Sequence, residues 1–485
     1  MKNFLAIDVG ASSGRGIVYS WDGAKFDTTE VLRFENLPIW QDGDFKWDSG
    51  YLFGKILASI ENAHAQFGRV DSLAIDTWGV DYGLIDTNGK LVTEPFHYRD
   101  RRTSGIIDRF DTMTRKELYS TAGISFNEFN TAYQLSCEKK NIFDDVQTFL
   151  FMPDLFGYML TGEMATEPTI ASTSAIYRKG KGFCKQFFKK CEIPYSICPA
   201  VKPTGSILGN VRREFLDKMN INYDIPVVLG CGHDTSCAVL SLPYSDGDTL
   251  FLSSGTWSLF GVEREKPLIN ATTMQENYSN ELAYGERTQL LKNIMGLWIV
   301  QECRREWRKT NNDLSFPQIV DECLKAQPLK AFIDVGDMIF NSPDNMPQKI
   351  CRWVERTQGV TLNSIGEIAR CAYESLALEY RFAFEGLQKI TKKTYPSLTI
   401  IGGGVKNKFL NQCVANSLGI KVFCGDIEAT ALGNALCQLA CADKTNDMRA
   451  IKAKLANGDK AVCMLPTDCD EWTKAYSKYL KLKQI

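Results

Sequence analysis

The sequence has no run of 18 or more apolar residues, and this absence excludes a membrane-spanning helix of ordinary length. It has no basic block either, since 56 Lys and Arg stand against 58 Asp and Glu, for a formal charge of −2. Nucleic acid is therefore not expected as a partner. Asp8 breaks the short apolar stretch near the N-terminus, which is too short for a secretory signal. We expect a cytoplasmic protein that binds no membrane.

Histidine is scarce, and cysteine lacks the spacing of a common metal site. The three histidines are His64, His97 and His233, and the 16 cysteines include no C-x-x-C pair. A zinc site of Cys and His ligands is hard to assemble from this set. We expect thiols that are reduced and mostly buried.

The length of 485 residues exceeds what one hydrophobic core usually covers, so two domains are expected. Strand-like and helix-like segments alternate along the chain, which predicts an α/β fold. The main predicted segments are a hairpin over 4–20, a strand over 29–35, a helix over 49–66, a strand over 72–77, a strand–turn–helix over 225–243 and a strand pair over 249–263.

The second half contains a strongly periodic helix that begins near Ser364. Apolar side chains recur on one face from Ile365 to Tyr380, and Ser364 with Glu367 forms a plausible capping box. The following stretch, 398–426, predicts strand, glycine turn, helix, Gly419 as the C-terminal cap, and strand. This order is a β-α-β unit.

The strand pair over 249–263 resembles the hairpin over 4–20 in layout, and it begins near the middle of the chain. Two halves that each open on strand, polar turn and strand indicate an internal duplication. Two unrelated hairpins would give the same pattern, because such turns are common.

The first turn combines a carboxylate, bare backbone and hydroxyls within an apolar hairpin, "FLAIDVGASSGRGIVYSW". Backbone N–H groups and serine hydroxyls at a turn suit phosphate oxygens, and Arg15 adds positive charge. Burying Asp8 without a partner is costly, and a nucleotide-borne Mg²⁺ would neutralise it. The alternative is a polar hairpin tip in which Asp8 caps the turn.

Three further stretches offer polar groups at turns. The tip Ser253–Thr256 has hydroxyls and backbone N–H groups, and "GGG" at 402–404 precedes a helix, where bare backbone suits either a nucleotide or tight packing. "GHDTS" places Asp234 after a buried strand, as a general base or as a helix cap.

A fourth stretch, "AIDTWGVDYGLID", carries Asp76, Trp78 and Asp81 around Gly79, in a pattern that fits a strand with a bulge. Its aromatic and carboxylate side chains suit a polyhydroxylated ligand. The run "HYRDRRT" that follows is typical of a solvated face or an ion-pair network.

Together these stretches resemble the FGGY carbohydrate kinases. The resemblance rests on nine stretches in the family's order: "AIDVGASSGRG", "IDTWGVDYGLID", "HYRDRRT", "MPDLFGYMLTGE", "GHDTSCAV", "LSSGTWSL", "LKNIMGLW", "IIGGGVKN" and "EATALGNA". The second and seventh are typical of members that phosphorylate L-rhamnulose. The glycine-rich stretches are shared with the wider sugar kinase and actin-like superfamily.

The resemblance implies a two-domain ribonuclease H-like (actin-like ATPase and sugar kinase) fold, with duplicated halves around a cleft. Residues 1–243 would form the N-terminal FGGY domain, with the sugar site and first phosphate hairpin. Residues 244–485 would form the C-terminal FGGY domain, with the second phosphate hairpin and adenosine site. The partners implied are a small sugar and ATP, in a monomer or small homo-oligomer.

The resemblance also assigns residues. Asp234 matches the catalytic base. The expected role of Asp8, to serve the Mg²⁺ that bridges the phosphates, rests instead on its place in the apolar strand beside the first turn. ATP would be contacted by Ala11, Ser12, Ser13, Gly14, Arg15, Thr256, Gln301 and Gly403. The sugar would be held by Gly79, His233, Asp234, Thr235 and Asn293.

The implied reaction is ATP-dependent phosphorylation of L-rhamnulose to L-rhamnulose 1-phosphate. One alternative is a kinase of the same family that acts on another ketose, L-fuculose or L-xylulose. The other is a sugar- or nucleotide-binding regulator on this fold without turnover. Ser236 and Cys237 stand where the family often has Ala, but both are small, so activity is still expected.

Overall fold

The computed structural model describes residues 1–243, 248–310, 313–445, 447–455 and 462–483, and contacts divide the chain into two compact units. Unit 1 comprises residues 1–248, 263–290 and 429–458, and unit 2 comprises residues 249–262, 291–428 and 459–485. Both units are discontinuous along the chain. The predicted domains, 1–243 and 244–485, are each continuous in sequence. The two units are not, so they do not test the predicted domain boundary, which stays a prediction.

The strands, in chain order, are β1 Lys2–Val9, β2 Ser13–Trp21, β3 Phe26–Glu35, β4 Ile39–Gln41, β5 Asp44–Lys46, β6 Ser72–Thr77, β7 Tyr82–Asp86, β8 Val146–Phe151, β9 Tyr177–Arg178, β10 Gly182–Phe183, β11 Ser206–Asn210, β12 Pro226–Leu229, β13 Thr249–Ser254, β14 Trp257–Arg264, β15 Ser279–Leu282, β16 Thr288–Met295, β17 Ser397–Ile401, β18 Lys421–Cys424 and β19 Val462–Met464.

The α-helices are α1 Ser49–Phe67, α2 Ile106–Arg109, α3 Arg115–Ala122, α4 Thr131–Ser136, α5 Met152–Thr161, α6 Pro168–Ser172, α7 Lys185–Lys190, α8 Arg213–Lys218, α9 Asp234–Leu240, α10 Ala271–Gln275, α11 Trp298–Trp307, α12 Phe316–Lys325, α13 Met346–Gln358, α14 Ile365–Thr391, α15 Lys408–Leu418, α16 Ala429–Ala442, α17 Met448–Leu455 and α18 Cys469–Leu482.

Unit 1 is built on a sheet in which both faces are covered. Its strand order is β11-β12-β6-β1-β2-β3, with β1, β6 and β12 parallel and the hairpin β1–β2 antiparallel. Along β1, Leu5 and Ile7 pack in one core cluster with α1, and Phe4 and Ala6 pack in another with α16. Burial on both faces explains why β1 is a continuous apolar run and not an alternating one.

Unit 2 repeats the strand order of unit 1. With the parts of β14 and β16 that belong to it, its sheet runs β19-β18-β17-β13-β14-β16. β19 is antiparallel to β18, as β11 is to β12, and β18, β17 and β13 are parallel, as β12, β6 and β1 are. The expected duplication is confirmed, because order and direction agree from the outer edge to the hairpin of each sheet.

The predicted helix near Ser364 is α14, in which the Ser364 hydroxyl accepts from the Glu367 N–H. The stretch 74–86 differs from the expectation of one bulged strand. It forms two strands, β6 in the large sheet and β7 paired with β8, joined by a turn in which Val80 has φ 71°. A β-branched residue in the left-handed region is strained, and the turn around it ends the first strand.

All 16 cysteines have free thiols, and eight of them are buried. Among the helices of the described ranges, none combines the length and the apolar character needed to cross a bilayer.

Candidate active site

The turn between β1 and β2 is held tightly from within and from β3. The Gly10 N–H donates to the Ser13 carbonyl at 3.0 Å, and Asn36, which follows β3, donates from its side chain to the Gly10 carbonyl at 2.9 Å. A Cβ at Gly14 would collide with the ring of Phe34. Gly14 is therefore required for packing against β3, while Ser12 is exposed and presents its hydroxyl to solvent.

Asp8 lies opposite Arg15 across the hairpin and opposite Asp76 on the parallel strand β6. The Arg15 Nε lies 3.2 Å from Asp8 Oδ2. Asp76 has no exposed surface and accepts from Asn434 Nδ2 at 2.7 Å through Oδ2. Burial, with added repulsion from Asp8 and Asp234, raises the pKa of Asp76 well above its ordinary range.

The carboxylates of Asp8 and Asp76 fit a cation that keeps part of its hydration shell better than a metal ion whose ligands all come from the protein. Asp76 Oδ1 is buried and has no hydrogen-bond partner among the described residues. Within the same ranges, no group of three or more His, Cys, Asp or Glu side chains is placed to hold a metal ion. A Mg²⁺ ion that keeps several waters and is carried by phosphates needs only one or two carboxylates.

Asp234 is the first residue of α9, directly after a segment anchored to the sheet. The Thr77 N–H donates to the Gly232 carbonyl at 2.9 Å, and Glu167 Oε1 accepts from the Gly232 N–H at 2.9 Å. These bonds fix the turn that delivers the Asp234 side chain to the end of β6.

The Asp234 carboxylate has one oxygen engaged and one available. Oδ1 accepts from the Thr235 N–H at 2.5 Å and from the Thr235 hydroxyl at 3.1 Å. No described residue hydrogen-bonds to Oδ2, and 31% of the side chain remains exposed. Burial raises the pKa of Asp234 to about 6, against the opposing effects of Thr235 and Arg15. A carboxylate in this range can take up a proton near neutral pH.

His233 connects Asp234 to a second carboxylate, Glu281 on β15. Its Nε2 lies 3.3 Å from Asp234 Oδ1, and its Nδ1 lies 3.3 Å from Glu281 Oε2. Burial lowers the pKa of His233, while Glu281 acts in the opposite direction. His233 Nδ1 and Glu281 Oε2 have no hydrogen-bond partner among the described residues, so the imidazole ring lies beside both carboxylates without being hydrogen-bonded to Glu281.

Gly79 lies in the turn that joins β6 to β7, above the side chain of Thr173. A Cβ at Gly79 would approach that side chain to 3.0 Å. The Thr173 hydroxyl accepts from the Val80 N–H at 3.1 Å, and the Thr131 hydroxyl donates to the Val80 carbonyl at 2.6 Å. The turn is therefore rigidly supported.

Asp81 hydrogen-bonds to the aromatic side chains of Trp47 and Trp78, which form a wall behind this turn. Its Oδ2 accepts from the indole N–H groups of Trp47 at 2.7 Å and Trp78 at 2.9 Å, and from the backbone of Tyr98 at 3.1 Å. Oδ1 accepts from Gln134 Nε2 at 2.7 Å, and the residue has no exposed surface. The expectation that Asp81 faces a polyhydroxylated ligand is wrong, because its oxygens are committed to these four donors.

In unit 2, the turn after β13 is tied to α11. The Thr256 hydroxyl donates to Gln301 Oε1 at 3.3 Å, and the Thr256 carbonyl accepts from the Gly296 N–H and the Trp298 N–H, both at 3.2 Å. Two residues that the resemblance assigns to ATP, Thr256 and Gln301, are thus in direct contact.

The three glycines at 402–404 have different reasons to be glycine. Gly402 has φ 83°, and a Cβ at Gly404 would collide with the Ser254 side chain. A Cβ at Gly403 would meet no atom within 4 Å. The left-handed backbone conformation therefore explains Gly402 and tight packing explains Gly404, while Gly403 alone borders open space.

The structure brings several predicted residues together within each unit. In unit 1 these are Asp8 with Arg15, and His233 with Asp234 and Thr235. Asn293 lies on β16 in unit 2, half-buried, whereas the other predicted sugar residues belong to unit 1.

Sequence reasoning did not assign Glu281 or Asn434 to the site, and it named Asp76 only as one of the carboxylates that suit a polyhydroxylated ligand. Glu281 is far from His233 along the chain, in a stretch without a motif, and no sequence signal marks it. Asn434 lies in "EATALGNA" and Asp76 in "IDTWG", two stretches that carried the family resemblance, so a signal existed for both.

Two family domains match the sequence. The N-terminal domain of the FGGY family of carbohydrate kinases matches residues 3–241, and the C-terminal domain matches residues 250–442. Rhamnulokinase of Bacillus subtilis (strain 168) is 35% identical over 476 residues, which is 97% of this chain and 96% of the relative. Rhamnulokinase of Halalkalibacterium halodurans is 38% identical over 443 residues, 90% of this chain and 93% of the relative.

Solved structures share the fold at low sequence identity. The ligand-bound xylulose kinase of Lactobacillus acidophilus superposes with a TM-score of 0.81 at 16% identity, covering 100% of this chain and 98% of that one. The Plasmodium falciparum glycerol kinase with ADP gives a TM-score of 0.78 at 16% identity, covering 100% of this chain and 99% of that one. The sugar kinase fold expected from the sequence is confirmed.

Proposed function

Since the chain belongs to the FGGY family of carbohydrate kinases, we propose that it transfers the γ-phosphoryl group of ATP to O1 of L-rhamnulose. The products are L-rhamnulose 1-phosphate and ADP. Support for this substrate comes from relatives named rhamnulokinase that are 35% and 38% identical over at least 90% of this chain. The observation that carries the chemistry is the Asp234 carboxylate at the start of α9, with Oδ2 available and a pKa of about 6.

Asp234 acts as the general base in this proposal. Its Oδ2 accepts the proton of the sugar O1 hydroxyl as that oxygen attacks the γ-phosphorus. The Thr235 bonds to Oδ1 hold the carboxylate in place, and His233 lies between Asp234 and Glu281. The backbone at Gly79, with His233 and Asn293, is proposed to hold the sugar hydroxyls.

The remaining predicted residues serve ATP and the metal. The turn at Ala11, Ser12 and Ser13 offers backbone N–H groups and hydroxyls for phosphate oxygens. Asp8 and Asp76 would hold Mg²⁺, and when bound this ion neutralises the charge of the phosphates. In unit 2, Thr256, Gln301 and Gly403 are proposed to contact the nucleotide.

Asp8→Asn is expected to raise the KM for Mg·ATP by about 10–100-fold, because one carboxylate that supports the metal is lost. Binding of L-rhamnulose without nucleotide, measured by calorimetry, should persist, and thermal unfolding should hardly change. Equal loss of sugar and nucleotide binding would show that the substitution damages the fold, and an unchanged KM for Mg·ATP would remove Asp8 from the metal site.

Gly403 and Gly404 provide a matched pair of substitutions. Gly403→Ala should leave thermal unfolding unchanged and weaken ATP binding by about tenfold, because a methyl group added to a filled site costs about 1–3 kcal/mol. Gly404→Ala should lower the unfolding temperature, because the methyl group meets Ser254. The assignment of Gly403 to ATP is wrong if Gly403→Ala binds ATP as tightly as the parent protein.

A coupled assay of ADP release tests whether the protein is an enzyme. ADP formation should require L-rhamnulose and Mg·ATP together, with little release when the sugar is omitted. A regulator on the same fold would bind one or both ligands without turnover, and that result would overturn the proposal. The cytoplasmic location and the monomer or small homo-oligomer stay predictions.

A further inference from the structure

Unit 1 contains a cavity of about 690 Å³ away from the residues discussed above. Cavities of 300–1,000 Å³ are typical of small-molecule sites. None of Asp8, Arg15, Gly79, His233 or Asp234 lines it.

The cavity and the candidate active site lie on opposite sides of β15. Along this strand Asn280 and Leu282 line the cavity, whereas Glu281 between them faces His233. Alternate residues of a strand point to opposite faces, so the two sites share a wall and not a space.

The walls of the cavity carry an excess of positive charge. Three acidic residues and six basic residues line the cavity. The basic residues are Arg178, Lys179, Lys266, Arg287, Arg449 and Lys452. One of the acidic residues, Glu263, already accepts from the Arg287 guanidinium at 3.0 Å. The charge that remains favours a ligand with several negative charges.

Lys452 on α17 is the one buried residue among these six basic residues. The residue is only 8% exposed, and its ammonium group has neither a hydrogen bond nor an ion pair with any described residue. Burial lowers its pKa, although Glu263 acts in the opposite direction. Lys452 Nζ keeps some accessible surface and lines the cavity, so an anion there would pair with its ammonium group.

Thr288 supplies an independent second donor. It lines the cavity, is 1% exposed, and its hydroxyl has no hydrogen-bond partner among the residues that the structure describes. A hydroxyl and an ammonium group, with guanidinium groups nearby, are the donors that bind phosphate oxygens.

We propose that this cavity is a second binding site, separate from the active site, for a small phosphorylated metabolite with several negative charges. Phosphate is favoured over carboxylate because it presents more acceptor oxygens to the converging donors. The proposal does not depend on the sugar that the protein phosphorylates.

Calorimetric titration of the full chain with 3-phosphoglycerate, at saturating Mg·ADP, tests this site. We expect saturable binding at one site per chain, weaker binding of inorganic phosphate, and weaker binding of citrate. Lys452→Met should weaken 3-phosphoglycerate binding by about tenfold or more, because a charge-assisted hydrogen bond is lost. Thr288→Val, which keeps the shape of the side chain, should weaken it by a smaller factor.

Lys46→Met is the matched control. Lys46 is 5% exposed and donates to the Thr93 hydroxyl at 2.9 Å, outside the cavity. Its substitution removes a buried lysine without touching the site, so 3-phosphoglycerate should bind as in the parent protein. The proposal is overturned if 3-phosphoglycerate shows no saturable binding or if it releases ADP. It is also overturned if Lys452→Met and Thr288→Val both bind 3-phosphoglycerate as tightly as the parent protein does. Stronger binding of citrate than of 3-phosphoglycerate would overturn the assignment of the ligand as a phosphate.

Discussion

Asp234→Asn is expected to lower kcat by about 10²–10⁴-fold, because the amide keeps the shape of the side chain but cannot take the proton from the sugar hydroxyl. The Thr235 bonds to Oδ1 can persist in this variant, so the start of α9 should stay ordered. ATP affinity, measured by calorimetry, should hardly change. A fall in kcat of less than about tenfold would show that Asp234 is not the base.

The pH dependence of kcat/KM in the parent protein gives a second test of the role of Asp234. The pKa of Asp234 is raised to about 6, and only the ionised carboxylate can accept a proton. kcat/KM for the sugar should therefore fall as the pH drops below about 6. Thr235→Val removes a hydrogen bond that lowers this pKa, so the acid limb of that variant should move to higher pH. An acid limb that stays in place would assign it to another group.

Local sequence patterns predicted most of the framework around the site. The hairpin over 4–20 is β1 and β2, the strand–turn–helix over 225–243 contains β12 and α9, and the β-α-β unit contains β17, α15 and β18. These segments have strong periodicity and glycine turns, which are properties of the local chain. The duplication was left open by the sequence because hairpins are common, and the matching strand order of the two sheets confirms it.

The turn at Gly79 shows where local patterns were insufficient. A strand with a bulge and two strands joined by a turn have similar alternation, and the choice depends on Thr173 and Thr131, which hold Val80 in the left-handed region. Those contacts come from residues far along the chain. The same limit explains Asp81, whose burial under four hydrogen-bond donors could not be read from its neighbours.

Local sequence patterns also could not predict which segments of the chain belong to each of the two units. Residues 263–290 and 429–458 belong to unit 1 although both lie in the second half of the chain. They bring Glu281 to His233, Asn434 to Asp76, and Lys452 to the cavity that Thr288 also lines. Chain order alone places none of these three pairings.

Substrate choice is expected to follow hydroxyl positions more than apolar bulk. The Gly79 turn is fixed by Thr173, and Asp81 holds Trp47 and Trp78 behind it, so this wall cannot easily adjust to a misplaced hydroxyl. A site built to hydrogen-bond a hydroxyl rejects an analogue that lacks it by about 10⁴-fold. A methyl-sized difference in an apolar pocket changes the rate by only about 10–200-fold. Ketoses that differ only near C6 should therefore be partial substrates.

The most direct test of an L-rhamnulose kinase is kcat/KM for L-rhamnulose, L-fuculose, L-xylulose, D-xylulose and glycerol under identical Mg·ATP. L-rhamnulose should give the highest value, epimers with a misplaced hydroxyl should be lower by up to about 10⁴-fold, and L-rhamnulose 1-phosphate should be the product. A lead of tenfold or more for L-fuculose or L-xylulose would contradict the substrate proposed here and leave a kinase of another ketose.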